Sequence, residues 1–446
     1  TRNFANVLTG LCRDAAAPLR KLTLKAAPPG PFAARPTYAP LSTPDAGKSI
    51  VSGRLSCAAQ TIDIGIAGHP WTRPLPSQHF ATRIHSFDWL HNLAVLGETK
   101  AGPRSRQLYD DWAEIYGEWN VFAWAPDVLS HRLFAVLACW GAVLSGDTDA
   151  APMKIAARRT VTARQVLRLK SVWKQTTPGL PRLRALGTLA LGGAMLSDTD
   201  MLDKNLDRLD DELELQVLGD GGHISRRPEA GLQVLQILLV LEDALKIRGI
   251  AGSKQTRRAI DRLAPTFAFF NPGDGGLASC NGSGDVPAKV ISNIVKKAGI
   301  RNSKPFGYMP HSGYQRLERS GTIIIMDTGD SPPRPFDQSA HLSPLAFELS
   351  TAFGKMVVNC GINSDQPEGW KQVARETAAH STLIIDDCSC GSLVTSSRTL
   401  KAFGTAISKS SGPVYSSRKE QDSDIWLEAN HEGYRSTTGL DHRRRI

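Results

Sequence analysis

The spacing of apolar residues changes twice along the chain. Residues 1 to about 75 are mixed, with Pro and Gly crowding APPGPFAARPTYAPLSTP and short alternations following in SIVSGRLSCAAQTIDIGIAGHPW. Alternation sends successive side chains to opposite faces, so this part predicts a few strands or extended packing segments leading into a domain. From about 80 to 265 the spacing becomes three and four. SHRLFAVLACWGAVL, TARQVLRLKSVWKQ, LPRLRALGTLALGGAML, MLDKNLDRLDDELELQVL, EAGLQVLQILLVLEDALKIR and TRRAIDRLAPTFAFF each predict a helix, separated by short polar or glycine-containing turns. Successive helical hairpins bury themselves by stacking, as a solenoid or closed into an incomplete (α/α) toroid.

After NPGDGGLASCNGSGD, residues 271 to 285, the alternation returns. RSGTIIIMDTG, LAFELSTAFGKMVVNCG and HSTLIIDD predict strands separated by Gly, Pro, Asp and Ser turns, the pattern of an antiparallel sheet or β-sandwich. HEGYRSTTGLDHRRRI reads as a strand just beginning, so the chain is expected to stop inside its β domain. The expected fold class is therefore α+β multidomain. Its segments are a mixed N-terminal stretch over 1–79, a helical toroid over 80–270, a linker over 271–310 and an antiparallel sandwich over 311–446.

Composition narrows the class without choosing a function. A chain of 446 residues is long for one core, and 41% hydrophobic with 22% charged residues belongs to a folded globular protein. It contains no uninterrupted apolar run of roughly 18 residues, so no segment is expected to span a bilayer. The net charge of +10 favours an anionic partner: nucleic acid, acidic polysaccharide or a membrane surface. The terminal HRRR lacks the interleaved aromatics of a nucleic-acid patch, so no nucleic-acid partner is expected. Seven cysteines, at 12, 57, 139, 280, 360, 388 and 390, form no framework, and Cys388 and Cys390 stand too close for a zinc knuckle. The chain starts with Thr1 behind a basic, weakly amphipathic segment over 1–25, which leaves periplasm and cytoplasm both open.

Chemistry concentrates at GDGGHISRRPEAGL. A glycine turn delivers His223, Arg226 and Arg227 to the mouth of an apolar helix, with Ser225 near the N-cap and Pro228 in the first turn. Arginines there oppose the positive end of the helix dipole, so they are either solvated or compensated by an anion. Trp89 in HSFDWLHNL and Trp124 in NVFAWAPDVL are candidates for stacking on sugar rings, against a plain core role.

The order of motifs carries a resemblance. A helical array ending in DGGHISR, a glycine-rich linker, then GYQRLERSGTIIIMDTG, AHLSPLAFELS, VVNCG and ETAAHSTLIIDD resembles the heparinase II/III-like polysaccharide lyase family over roughly residues 80 to 446. The likeness is greatest to bacterial members with no assigned substrate. It implies an (α/α) toroid, a C-terminal sandwich and an acidic polysaccharide cleaved by β-elimination at a uronic acid. That reaction needs a cation to neutralise the uronate carboxylate, a Tyr or His as base and an acid for the departing oxygen.

By this resemblance His341 stands where members carry a catalytic or neutralising histidine. His380 matches a ligand position of the zinc-binding lyases, but Ser343 and Asn359 replace metal carboxylates, so zinc is not expected and no cofactor is assigned. The turn places Ala230 and Gly231 where the family's Tyr and His fall, and Pro181 and Arg182 lie near its Asn-His pair. The expected catalytic set is accordingly His341, His223 and Tyr314, with Tyr434 in reserve. The substrate-binding set is Arg226, His380, Trp124 and Trp89. Two other functions compete: an acidic-glycan-binding protein that has lost catalysis, and a hydrolase of a cell-envelope glycan using Asp220 and Glu229.

Overall fold

A computed structural model describes residues 29–37, 41–146, 152–284, 286–299, 304–362, 366–394, 406–421 and 424–446. The basic segment 1–25 and Cys12 lie outside the described residues. The chain forms two compact units, one of Thr1–Glu212 with Gln236–Lys254 and one of Leu213–Leu235 with Gln255–Ile446. This division differs from the boundary expected at 270: residues 213–235 and 255–270 group with the strands.

In the first unit, α1 (Pro44–Val51) leads into an antiparallel hairpin of β1 (Arg54–Cys57) and β2 (Gln60–Asp63), where alternation predicted short strands. The helices α2 (Gln78–His85), α3 (Asp88–Ala94), α4 (Glu98–Tyr116), α5 (Pro126–Cys139), α6 (Pro152–Val172) and α7 (Leu180–Leu196) follow. Local chemistry sets two of their starts. Ser77 caps α2 by accepting from the Phe80 N–H at 3.1 Å, and Pro126 opens α5 where its missing N–H costs nothing. With its π-turn Trp140–Leu144, α5 is long and apolar enough to cross a membrane by length and composition alone. It is instead a core helix. His131 and Arg132 interrupt its apolar run, and Arg132 is buried, donating to the carbonyls of His85 at 2.9 Å and Ala123 at 2.6 Å and stacking 4.4 Å from Trp112.

Two further helices, α8 (Thr199–Gln216) and α9 (Pro228–Ile247), flank the glycine turn, and α10 (Lys254–Phe269) follows. Leu232, Val234, Leu235, Ile237 and Val240 lie around the whole circumference of α9 and all are buried, as an all-round apolar helix requires.

The second unit also holds α11 (Ala288–Lys297) and a five-stranded antiparallel sheet in the order β3 (Tyr308–Met309), β4 (Tyr314–Arg319), β5 (Thr322–Asp327), β6 (Phe347–Thr351), β7 (Gly354–Val357). β8 (Ser392–Leu393) pairs with β9 (Ile407–Lys409). β10 (Val414–Gln421), β11 (Asp424–His431) and β12 (His442–Arg445) make a three-stranded sheet, so the HRRR stretch is a paired strand. Leu317 and Met326 from the larger sheet share a core with Leu427 and Ala429 from the smaller one, which is the packing of two sheets face to face.

One expected strand is not formed. HSTLIIDD carries only an isolated bridge between Ile385 and Cys388. The Ser381 hydroxyl takes the ladder partner's place, donating to the Phe347 carbonyl and accepting from its N–H at 2.9 Å. Asp386 and Asp387 then adopt positive φ values of 50° and 55°, which turn the chain.

Candidate functional site

The turn after α8 is built before it can do chemistry. Leu218 and Gly222 close it with a 2.8 Å backbone bond, and Val217 bridges His223. A Cβ at Gly222 would collide with the Ser312 side chain, so glycine is required for this close approach. Asp220 accepts from the Ser312 N–H at 2.7 Å, the Ser312 hydroxyl at 2.8 Å and the His311 N–H at 2.8 Å. Its carboxylate is a clamp on the segment before β4.

His223 is an internal residue. Its Nδ1 accepts from the Ser225 N–H at 3.1 Å and lies 2.7 Å from the Ser225 hydroxyl, while Nε2 faces Gln216 Oε1 at 3.1 Å. This network assigns the neutral ring with its proton on Nε2. Burial, then the nearby Arg227 charge, push its pKa down to about 4.

Arg226 is likewise spent within the fold. It adopts a positive φ of 57°, donates to the carbonyls of Ser312 at 2.7 Å, Asp330 at 2.9 Å and Gly313 at 3.3 Å, and pairs with the buried Asp327 carboxylate. Its guanidinium lies 4.8 Å from the Tyr314 ring centre. Burial opposes the charge, but Asp327 and the other neighbours outweigh it, so Arg226 keeps its proton above the usual range. Tyr314 is fully buried with its hydroxyl donated to the Arg226 carbonyl at 2.7 Å. Burial lifts that phenol well above its usual pKa, which is unfavourable for a base. The cavity beside these groups, lined by Gly222, His223, Arg226, Gly231 and Tyr314, holds about 10 Å³, the room of one water and not of a sugar.

The other candidates separate clearly. Trp89 and Trp124 are 4% and 1% exposed, and their ring nitrogens donate to the carbonyls of Ile84 at 3.2 Å and Tyr116 at 2.7 Å. Both are core residues of the first unit with no face for a sugar. Tyr434 is also fully buried, with its hydroxyl on the Leu383 carbonyl at 2.6 Å. Glu229 accepts from Arg227, from Gln233 at 3.1 Å and from the Gly284 N–H at 3.3 Å. Burial alone would raise its pKa, but Arg227 and these donors hold it below the usual range, so Glu229 is not the protonated acid that hydrolysis needs.

A second centre forms around His341. Ala340 and Leu342 sit in a core with Cys390, Leu393, Ile407 and Tyr434, which anchors the backbone on both sides of the histidine. The His341 N–H donates to Asn281 Oδ1 at 2.9 Å, and Asn281 Nδ2 donates to the Ser225 carbonyl at 2.8 Å, so one asparagine ties this centre to the glycine turn. His341 Nδ1 is 3.0 Å from His380 Nε2. Its Nε2 is buried with no partner and lies so near Gly282 that a Cβ there would stand 2.7 Å from it. Burial, then the charges of His380, Arg375 and Arg227, hold His341 well below its usual pKa, so the ring is neutral. Arg227 Nε and Arg375 Nη2 are also buried without partners. The sequence pattern favours Arg226 over Arg227, and Asn281–Gly282 reads there only as part of a linker. The one available signal was the glycine pair in NGSG.

No group of three His, Cys, Asp or Glu side chains suited to a metal occurs among the described residues. Asn359, which replaces a family carboxylate, uses its Oδ1 to accept from the Ser381 N–H at 3.1 Å. The residues present do not fit a four-coordinate zinc site.

Comparison with known proteins agrees with this architecture. A family model described as heparinase II/III-like, C-terminal, matches residues 301–446. FtsZ-localized protein C of Caulobacter vibrioides (strain NA1000 / CB15N) is 34% identical over 430 residues, covering 95% of this chain and 72% of that protein. The crystal structure of heparinase III superposes with a TM-score of 0.70 at 13% identity, covering 95% of this chain and 71% of the other. The heparan sulfate lyase HepC from Pedobacter heparinus gives 0.53 at 17% identity, covering 100% and 74%. At those identities the two structures speak for the fold alone. The helical array, the antiparallel sheets and the extended match to a relative agree that the chain belongs to the heparinase II/III-like family, whose fold is that of polysaccharide lyases.

Proposed function

We propose that this protein cleaves a uronate-containing acidic polysaccharide by β-elimination, with His341 as the base and Arg227 as the cation that neutralises the uronate carboxylate. The observation that carries this reading is the His341 Nε2 atom, a neutral ring nitrogen with no partner in a neighbourhood that contains Arg227. In the reaction, Nε2 takes the proton beside the carboxylate, the bond to the departing glycosidic oxygen breaks, and the imidazolium returns the proton to that oxygen. His223, Arg226 and Tyr314 then serve as the framework of the turn. Substrate reaches Nε2 only when the Asn281–Gly282 segment moves aside.

The test is ultraviolet absorbance during incubation with heparan sulfate, heparin, chondroitin, hyaluronan, alginate and polygalacturonate, since elimination creates a conjugated unsaturated uronate. A rise with one polymer that disappears in His341→Ala is the expected result. A flat trace with every polymer rejects elimination on this panel.

A second reading has its own support. Ala230 and Gly231 replace the family base, and Nε2 is sealed, which favours binding of an acidic glycan without turnover. The name of the Caulobacter relative adds localisation with FtsZ as a setting for such a role. Retained affinity for one polymer with no absorbance change is its signature.

A further inference from the structure

The contact between His341 and His380 has the dimensions of a hydrogen bond. The two nitrogens are 3.0 Å apart and the ring centres 5.0 Å apart at an interplanar angle of 63°. Only one of the two facing nitrogens can carry the proton between them. Burial pushes the His380 pKa down to about 4 against the smaller opposing effect of a hydrogen bond to the Ala374 backbone, so the ring is neutral and carries a single N–H proton. With Nε2 turned to His341, that proton belongs on His380 Nδ1. His380 Nε2 is then an acceptor, and His341 Nδ1 donates to it. His341 is left with a bare lone pair on Nε2, the buried atom that has no partner.

The chemistry around the pair leaves little for a metal to hold. Two imidazoles alone make half of a zinc shell, and no third ligand of the usual kinds completes one among the described residues. Ser343 is buried and Asn359 is occupied by Ser381.

We propose that His380 is the positioning residue of His341, accepting the His341 Nδ1 proton directly, with no metal between the rings, so that the Nε2 lone pair faces the Gly282 backbone. This assigns His380 to the base and not to the substrate, and it deepens the elimination reading on which it rests. A base whose tautomer is fixed by a neighbour loses activity steeply when the neighbour is removed, by about tenfold or more.

The experiment is long-range proton–nitrogen correlation on the full chain labelled with ¹⁵N-histidine, with His341→Asn used to identify the resonances of residue 341. The expected spectrum shows His341 protonated at Nδ1 and unprotonated at Nε2. His380→Ala should shift that ring towards the Nε2-protonated form and slow elimination about tenfold or more, and His380→Gln, whose amide oxygen can accept the same proton, should restore both. A wild-type His341 protonated at Nε2 overturns the proposal, as does stoichiometric zinc uptake that abolishes the Nδ1 proton signal. Elimination that needs His341 but ignores His380→Ala also overturns it while leaving the function standing. The expected tautomer with no elimination on any polymer supports the positioning role and rejects the reading of His341 as a base.

Discussion

At the turn from Asp220 to Arg226, both nitrogens of His223 have partners and Arg226 meets a carboxylate and three carbonyls. Around His341 and His380, Nε2 of His341, Nε of Arg227 and Nη2 of Arg375 are buried without partners. Both regions are rich in nitrogen cations or their precursors. The first spends them on holding β4 and β5 to the turn, and the second keeps some in reserve. Buried polar groups that are satisfied rigidify a fold, whereas unsatisfied ones are costly and mark places where water, a ligand or a reacting group belongs.

The contrast is broken or sharpened by substitution. Arg226→Ala strips a buried carboxylate of its partner and should cost about 3–5 kcal/mol in chemical denaturation; a loss below about 1 kcal/mol would deny the turn its structural role. His223 tests the same region through pH. Its ring takes a proton near 6.5 when unfolded and only at about 4 when folded. The stability it contributes is therefore complete above that unfolded value and declines as pH falls towards the folded one, by roughly 3 kcal/mol in total. His223→Gln should make the stability profile less steep between those two pH values, where His85, His380, His431 and His442 contribute as well, and an unchanged slope would show that the ring is accessible to protons. The smallest expected loss is at the second region. Gly282→Ala places a Cβ against His341 Nε2 at a φ of +85°, which should cost about 1–2 kcal/mol and suppress elimination while leaving the turn's melting contribution intact.

Most of the architecture could be read from periodicity. The six helical stretches, the β1–β2 hairpin and the strands at 322–327 and 347–357 follow from spacings that burial enforces locally. HSTLIIDD failed because the Ser381 hydroxyl replaces a ladder bond, an event decided by Phe347 in another strand. The site was harder for the same reason. Nothing near Arg226 in the chain announces Asp327, which neutralises it, and nothing near Trp124 distinguishes a core ring from one offered to a sugar. His341 could be singled out by resemblance, yet its availability depends on Asn281 and Gly282, whose approach belongs to tertiary structure.

The Arg226–Asp327 pair spans 101 residues, and it imposes an order on synthesis. When the ribosome has delivered the glycine turn and α9, the strand that carries Asp327 has not been made. A guanidinium destined for burial must wait in water until the chain has grown by that length, since closing the loop precedes any reward from the contact. The turn meets its partners in chain order, Asn281 first, then Ser312 and Gly313, and β5 brings the carboxylate that offsets the burial of the guanidinium.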